Sequence, residues 1–162
     1  MVEVVRVGVV VASAVATGLL AGVFFAFWVA VMPGLAEAGD RVVVEVMQRI
    51  NRAILTVPFL VVFLGSPLSA VAAVVLYVPV GGAVLGWLVA GAAGCVVASA
   101  VTVRGNVPLN DALAAAGPVE RLSQEQAAGA RRRFGARWVR WNAVRTAAST
   151  LAAGCLVAAL AV

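Results

Sequence analysis

Residues 7–32 read VGVVVASAVATGLLAGVFFAFWVAVM, twenty-six residues without a charge. At about 1.5 Å rise per residue, a helix of this length crosses the roughly 30 Å hydrocarbon core of a bilayer with room to tilt. Arg6 precedes the run and Pro33-Gly34 follows it. Ala36-Glu37-Ala38 mimics a leader cleavage site. The apolar core of a leader is only about 7–15 residues long, so this run is expected to remain as a span. Three more runs follow, Ala53 to Tyr77, Ala83 to Val103 and Ala143 to Val162.

The composition agrees. Hydrophobic residues make up 64% of the chain and charged residues 12%, against about 45–50% and about 25% in soluble domains. The reading is an all-α integral membrane protein, a single domain over residues 1–162. It is a four-helix transmembrane bundle of up-down topology. Its spans are 7–32, 53–77, 83–103 and 143–162, with connections at 33–52 and 104–142. Ser123 and Gln126 have capping-box spacing, which predicts a juxtamembrane helix that merges into the fourth span. Pro67 predicts a kink in the second span. Gly82, Gly86, Ala90, Gly94 and Ala98 recur every fourth residue, and Gly154 and Ala158 repeat the spacing; both patterns predict close helix approach. Cys95 and Cys155 lie in apolar runs and read as packing residues.

All twelve basic residues are arginines, and the net charge is +5. Eleven of them fall in or beside the first and third connections, which share one side of an up-down bundle. The positive-inside rule makes that side cytoplasmic and both termini extracytoplasmic, in the plasma membrane. The triplet Arg131-Arg132-Arg133 reads as a solvated face or headgroup anchor. The partners are therefore the lipid bilayer and a hydrophobic small molecule, not nucleic acid; association with a second copy of the chain stays open. Histidine is absent, which removes the commonest metal ligand. No metal or other cofactor is expected.

The chain has four asparagines, Asn51, Asn106, Asn110 and Asn142, in three motifs that all fall at the basic side. Gln48, Asn51, Arg52 and Leu55 are spaced to share one helix face, as are Trp138, Trp141, Asn142 and Arg145. The third motif is Asn106-Val107-Pro108-Leu109-Asn110-Asp111, where Pro108 predicts an interruption of regular helix. Non-helical backbone at membrane depth occurs inside protein or beside a water-filled cavity. The three motifs together predict a pocket rich in donors. Such a pocket suits a flat ligand with carbonyl or phenolate oxygens, a quinone or polyketide, or else a lipid headgroup.

These residues resemble a known group. Phe24-Phe25-Ala26-Phe27 before Val31-Met32-Pro33, Met47 to Arg52, Asn106 to Asn110, and Trp138-x-x-Trp141-Asn142-x-x-Arg145 are similar, in that order, to the anthrone oxygenase family, or DUF1772 domain. The stretch from Ala112 to Gly135 carries no matching motif. The resemblance implies a four-helix membrane protein that oxidises an anthrone-like or phenolic substrate with dioxygen to a quinone, without a cofactor. On that chemistry Arg52, Asn106, Asn110, Asn142 and Arg145 stabilise an enolate oxygen and the peroxide that follows. Asp111 is the candidate base. Trp141 stacks on the rings, and Gln48, Asn51 and Trp138 complete the substrate site.

A non-enzymatic accessory protein that holds a quinone or lipid fits the same residues. A proton-coupled exporter fits them less well, because every Asp and Glu lies outside the four runs, whereas coupling needs an ionisable group deep in a span.

Overall fold

The helix that starts at Val2 does not stop at Pro33. In the computed structural model, which describes residues 1–162, α1 runs Val2–Ala36 with a π turn over Phe27–Val31. Proline lacks an N–H, and its ring crowds the carbonyl four residues back. The π turn widens the helix just before Pro33, and Met32 N–H bonds Phe27 O, five residues back. The same device recurs in α4 (Gly82–Ala115), where a π turn over Thr102–Asn106 precedes Pro108 and Val107 N–H bonds Thr102 O. The expected break at Pro108 is therefore a wide helical turn, and the third apolar run continues as helix well past Val103. Turns of this kind are frequent at functional sites.

Between them lie α2 (Asp40–Ala53) and α3 (Val57–Tyr77). Ala53 closes α2 and does not open the second span. Thr56 starts α3, its hydroxyl accepting from Phe59 N–H at 3.5 Å. The α2 helix buries Val43, Val44, Met47 and Gln48 on one face. The uncharged link between α3 and α4 turns through Gly81 and Gly82, at φ 68° and 67°, where residues with a β-carbon are disfavoured. The last helix, α5, runs unbroken over Gln124–Ala159. Its start is the capping box: Gln126 N–H donates to Ser123 Oγ and Ser123 N–H to Gln126 Oε1.

The chain is 88% helical without strands. Three helices, α1, α3 and α4, are long and apolar enough to cross a membrane, as in an integral membrane protein. The α5 helix is not among them; Asn142, Arg145, Thr146, Ser149 and Thr150 dilute its apolar half. It packs against α4 and α1, while α3 packs against α1 and α4. One apolar core, around Val10, Ala70, Leu88, Cys95 and Leu156, joins α1, α3, α4 and α5 in the half of the molecule where α3 finishes. Within it Thr17 Oγ1 bonds Ser66 Oγ at 2.8 Å and Cys95 Sγ at 3.3 Å. A second core, around Met47, Leu113, Phe134 and Trp138, joins α2 to the extension of α4 and the first half of α5.

At the end where α3 finishes, Arg6 Nε donates to Leu76 O. The other end is tied by Arg41, which donates to Val119 O at 2.8 Å, and by Arg131, which donates to Ala36 O, Ala38 O and Asp40 Oδ1. Arg131 is thus a clamp on the end of α1, not a free member of a basic triplet.

Close approach of α4 and α5 uses Gly91 and Gly94. A β-carbon on Gly94 would meet Ala152 Cβ at 2.9 Å and Ala148 O at 3.0 Å; one on Gly91 would meet Leu156 at 2.9 Å. The every-fourth-residue ridge is used only in part, since Gly82, Gly86 and Gly154 have nothing within 4 Å. Gly94→Ala is expected to destabilise the protein by about 1–3 kcal/mol through overpacking against backbone. Gly86→Ala, on an open helix face, is expected to be neutral or stabilising. Thermal unfolding of both variants in detergent tests the difference.

Candidate functional site

One guanidinium sits where the helices meet. Arg145 is 8% exposed, and none of the three ion pairs of the chain includes it. Its Nε donates to Asn142 Oδ1 at 3.0 Å and its Nη1 to Thr102 Oγ1 at 3.4 Å. Its Cζ lies 4.0 Å from the ring centre of Phe24 and 5.3 Å from that of Trp138. Neutral acceptors and two aromatic faces therefore hold the cation. Cation–π contacts of this type are worth about 2 kcal/mol or more when desolvated, and the positive charge stays uncompensated.

Arg145 borders a cavity of about 240 Å³. Phe24 and Phe27 of α1 and Trp138 of α5 supply aromatic surface. Thr102, Asn110 and Asp111 come from α4, and Gln48, Asn51 and Arg52 from α2. Both π turns reach it, through Phe27 and Thr102. The Gln48 amide closes one side, donating to Leu113 O at 2.8 Å and Gly117 O at 3.0 Å and so satisfying carbonyls at the end of α4. Beyond Gln48 lies a hollow of about 410 Å³ between Glu45, Arg49 and Pro118. Its charged walls make it a surface feature, whereas apolar walls with a few convergent polar groups are what small-molecule sites use.

Seven of the ten residues singled out from sequence border this cavity: Gln48, Asn51, Arg52, Asn110, Asp111, Trp138 and Arg145. Arg52 and Asp111 make neither ion pairs nor side-chain hydrogen bonds, although they share the cavity wall. Asn51 Nδ2 is buried without a partner. The indole N–H of Trp138 is already used, donating to Asn110 Oδ1 at 2.9 Å. That bond leaves the Asn110 NH2 free and fixes the ring, which also packs on Phe27 and Phe134 at 5.5 and 5.8 Å between centroids.

The other three are placed elsewhere. Asn142 is fully buried behind the wall, with Nδ2 donating to Phe24 O at 3.0 Å and Oδ1 accepting from Arg145. Asn106 is also fully buried; its Nδ2 donates to Trp138 O at 3.2 Å and its Oδ1 has no partner. Both asparagines position cavity residues and do not border the cavity. Trp141 is 41% exposed and lies flat against Gly105, where a β-carbon would come within 2.7 Å of the ring. It stands about 60° round the helix from Trp138, enough to turn it outward. Of these two tryptophans, Trp138 faces the cavity.

Sequence reasoning gave no role to Phe24, Phe27 or Thr102. Phe24 and Phe27 were within reach as part of a recognised motif. Thr102 gave only a faint signal, a hydroxyl in an apolar run one turn before Asn106.

The family model for anthrone oxygenase matches residues 59–155, which is 97 of the 162 residues. The chain belongs to the anthrone oxygenase family. The matched segment carries Thr102, Asn106, Asn110, Asp111, Trp138, Asn142 and Arg145, the part of the site contributed by α4 and α5. The remaining wall, from α1 and α2, lies outside it. No curated protein and no solved structure matches the chain.

Removal of the Asn142 amide leaves the Arg145 Nε–H without its buried acceptor and cuts the side-chain tie from α5 to Phe24 O, which keeps only its backbone partner in α1. Asn142→Ala is therefore expected to cost about 2–4 kcal/mol. Arg52→Gln, at an exposed side chain without hydrogen bonds, is expected to change stability by less than about 0.5 kcal/mol. Unfolding midpoints in one detergent check both.

Proposed function

We propose that this member of the anthrone oxygenase family binds a flat, hydrophobic anthrone-like or phenolic molecule in the Arg145 cavity and oxidises it with dioxygen to a quinone. The observation that carries the proposal is the Arg145 guanidinium, buried among aromatic rings and paired with no carboxylate. A preorganised cation in a dry site stabilises a developing oxyanion far more than it would in water.

The chemistry asks little of the protein. An anthrone has an acidic methylene opposite its ketone. Asp111 accepts a methylene proton, and the charge moves to the ketone oxygen, which Arg145 holds as the enolate. Dioxygen takes one electron from the enolate and the two radicals combine as a peroxide anion on the former methylene carbon, which takes the proton back from Asp111 to become a hydroperoxide. Loss of water from that carbon, its remaining hydrogen leaving with the O–O bond, yields the second carbonyl. One anthrone and one O2 thus become one anthraquinone and one water. The proposed parts are Arg145 for the enolate, Asn110, Asn51 and Arg52 as donors to further substrate oxygens, and Phe24 and Trp138 as ring surfaces. Gln48 holds α2 over the cavity, and Asn106 and Asn142 position Trp138 and Arg145.

In the membrane, the proposal places α1, α3, α4 and the second half of α5 as four up-down spans. The end that carries eleven of the twelve arginines faces the cytoplasm, both termini lie outside, and the membrane is the plasma membrane.

The test is oxidation of an anthrone by the detergent-purified protein, followed as quinone absorbance and oxygen uptake. Conversion well above spontaneous autoxidation is expected. Arg145→Gln is expected to lower kcat by about 10²- to 10³-fold, and Asp111→Asn by about 10²-fold or more. Rates equal to autoxidation across several anthrones overturn the oxygenase proposal. Stoichiometric quinone binding without turnover would instead establish the accessory-protein alternative.

A further inference from the structure

Trp141 has no part in the cavity, yet it is tightly seated on Gly105, in the π turn of α4. It forms, with Arg137, Arg140 and Val144, a separate hollow of about 280 Å³ on the outer side of α5. All four residues are exposed, and neither arginine makes an ion pair or a hydrogen bond to another side chain. This distinguishes them from Arg131, whose donors are committed to the end of α1 and to Asp40.

The spacing 137, 140, 141, 144 follows one face of a helix. The same face continues to Leu151, which is 70% exposed. From the basic end inward it presents two guanidinium groups, an indole, and then bare aliphatic surface. That order matches one phospholipid molecule lying along the helix: charged phosphate, interfacial ester region, acyl chain. Arginine forks suit phosphate oxygens, and tryptophan settles at the headgroup level of a bilayer.

We propose that Arg137, Arg140 and Trp141 form a binding site for the phosphate of an anionic glycerophospholipid, with its acyl chain along Val144 and Leu151. The two arginines hold the phosphodiester. Gly105 lets Trp141 lie against α4 and so shapes the floor of the site. The site stands apart from the Arg145 cavity and does not depend on any oxidation there.

Native mass spectrometry of the full chain in detergent, titrated with phosphatidylglycerol and with phosphatidylcholine of the same chain length, tests this. Retention of phosphatidylglycerol in preference to phosphatidylcholine is expected. Arg137→Gln/Arg140→Gln is expected to weaken that binding by about tenfold or more. Arg121→Gln/Arg132→Gln, which removes equal charge elsewhere at the same end, is expected to leave it within about twofold. Gly105→Ala, with every arginine in place, is expected to weaken it by displacing Trp141. Four results would overturn the proposal. They are unchanged lipid binding in the first pair, equal loss in both pairs, equal retention of phosphatidylcholine, or displacement of the lipid by an equal concentration of inorganic phosphate, which would make the site one for a free anion.

Discussion

A guanidinium buried without a counter-charge is the constraint around which this protein is arranged. Taking a charge out of water is costly, and here no carboxylate offsets it. The compensation is assembled from all the long elements near the site. The α5 helix gives Asn142 and Trp138, α4 gives Thr102, and α1 gives Phe24. Asn142 also ties that arrangement to the backbone of α1. Each partner is neutral, so the cation is held in place and keeps its field. A site that must stabilise an anion only as it forms needs that combination.

The two π turns belong to the same arrangement. Pro33 and Pro108 would each remove a helical hydrogen bond and crowd a carbonyl. The chain accommodates both by widening one turn, at Phe27–Val31 and at Thr102–Asn106. Phe27 and Thr102, the first residue of each wide turn, border the cavity. In the second turn Gly105 admits the indole of Trp141 and Asn106 supports the backbone of Trp138. The α2 helix then closes the cavity at the basic end through Gln48, and Arg41 and Arg131 secure the segments on either side of it. The anthrone oxygenase family model covers the α4 and α5 walls; α1 and α2 supply the remaining walls, Phe24 and Phe27 from one and Gln48, Asn51 and Arg52 from the other.

Much of this was legible in the residues. Uncharged runs longer than a bilayer is thick can satisfy their backbone only as helices, so the all-helical class followed from composition and run length. The capping box at Ser123 marked the start of α5 because both partners are local. The motif at Gln48, Asn51 and Arg52 marked one wall because those three follow a single face of α2; Leu55, spaced as a fourth member, lies past the end of that helix and borders the cavity from the link to α3. The motif at Trp138, Trp141, Asn142 and Arg145 follows the same spacing, yet its members part. Spacing places residues within an arc of about 100°, and the edge of that arc is decided by what packs beside it. Gly105 lets Trp141 turn outward, and Phe24 O draws Asn142 inward.

The sequence by itself determined the helical class, the membrane character, the family and the collection of arginines and asparagines at one end, because these rest on composition, run length and local spacing. Only the tertiary structure decided which glycines permit close approach, which tryptophan faces the cavity, which arginines are clamps and which are free, and that Arg145 has no anionic partner. Those outcomes depend on atoms brought from α1, α2, α4 and α5 to one point. Side-chain neighbours far apart in the chain are set by how helices pack, and periodicity along a single helix carries no record of them.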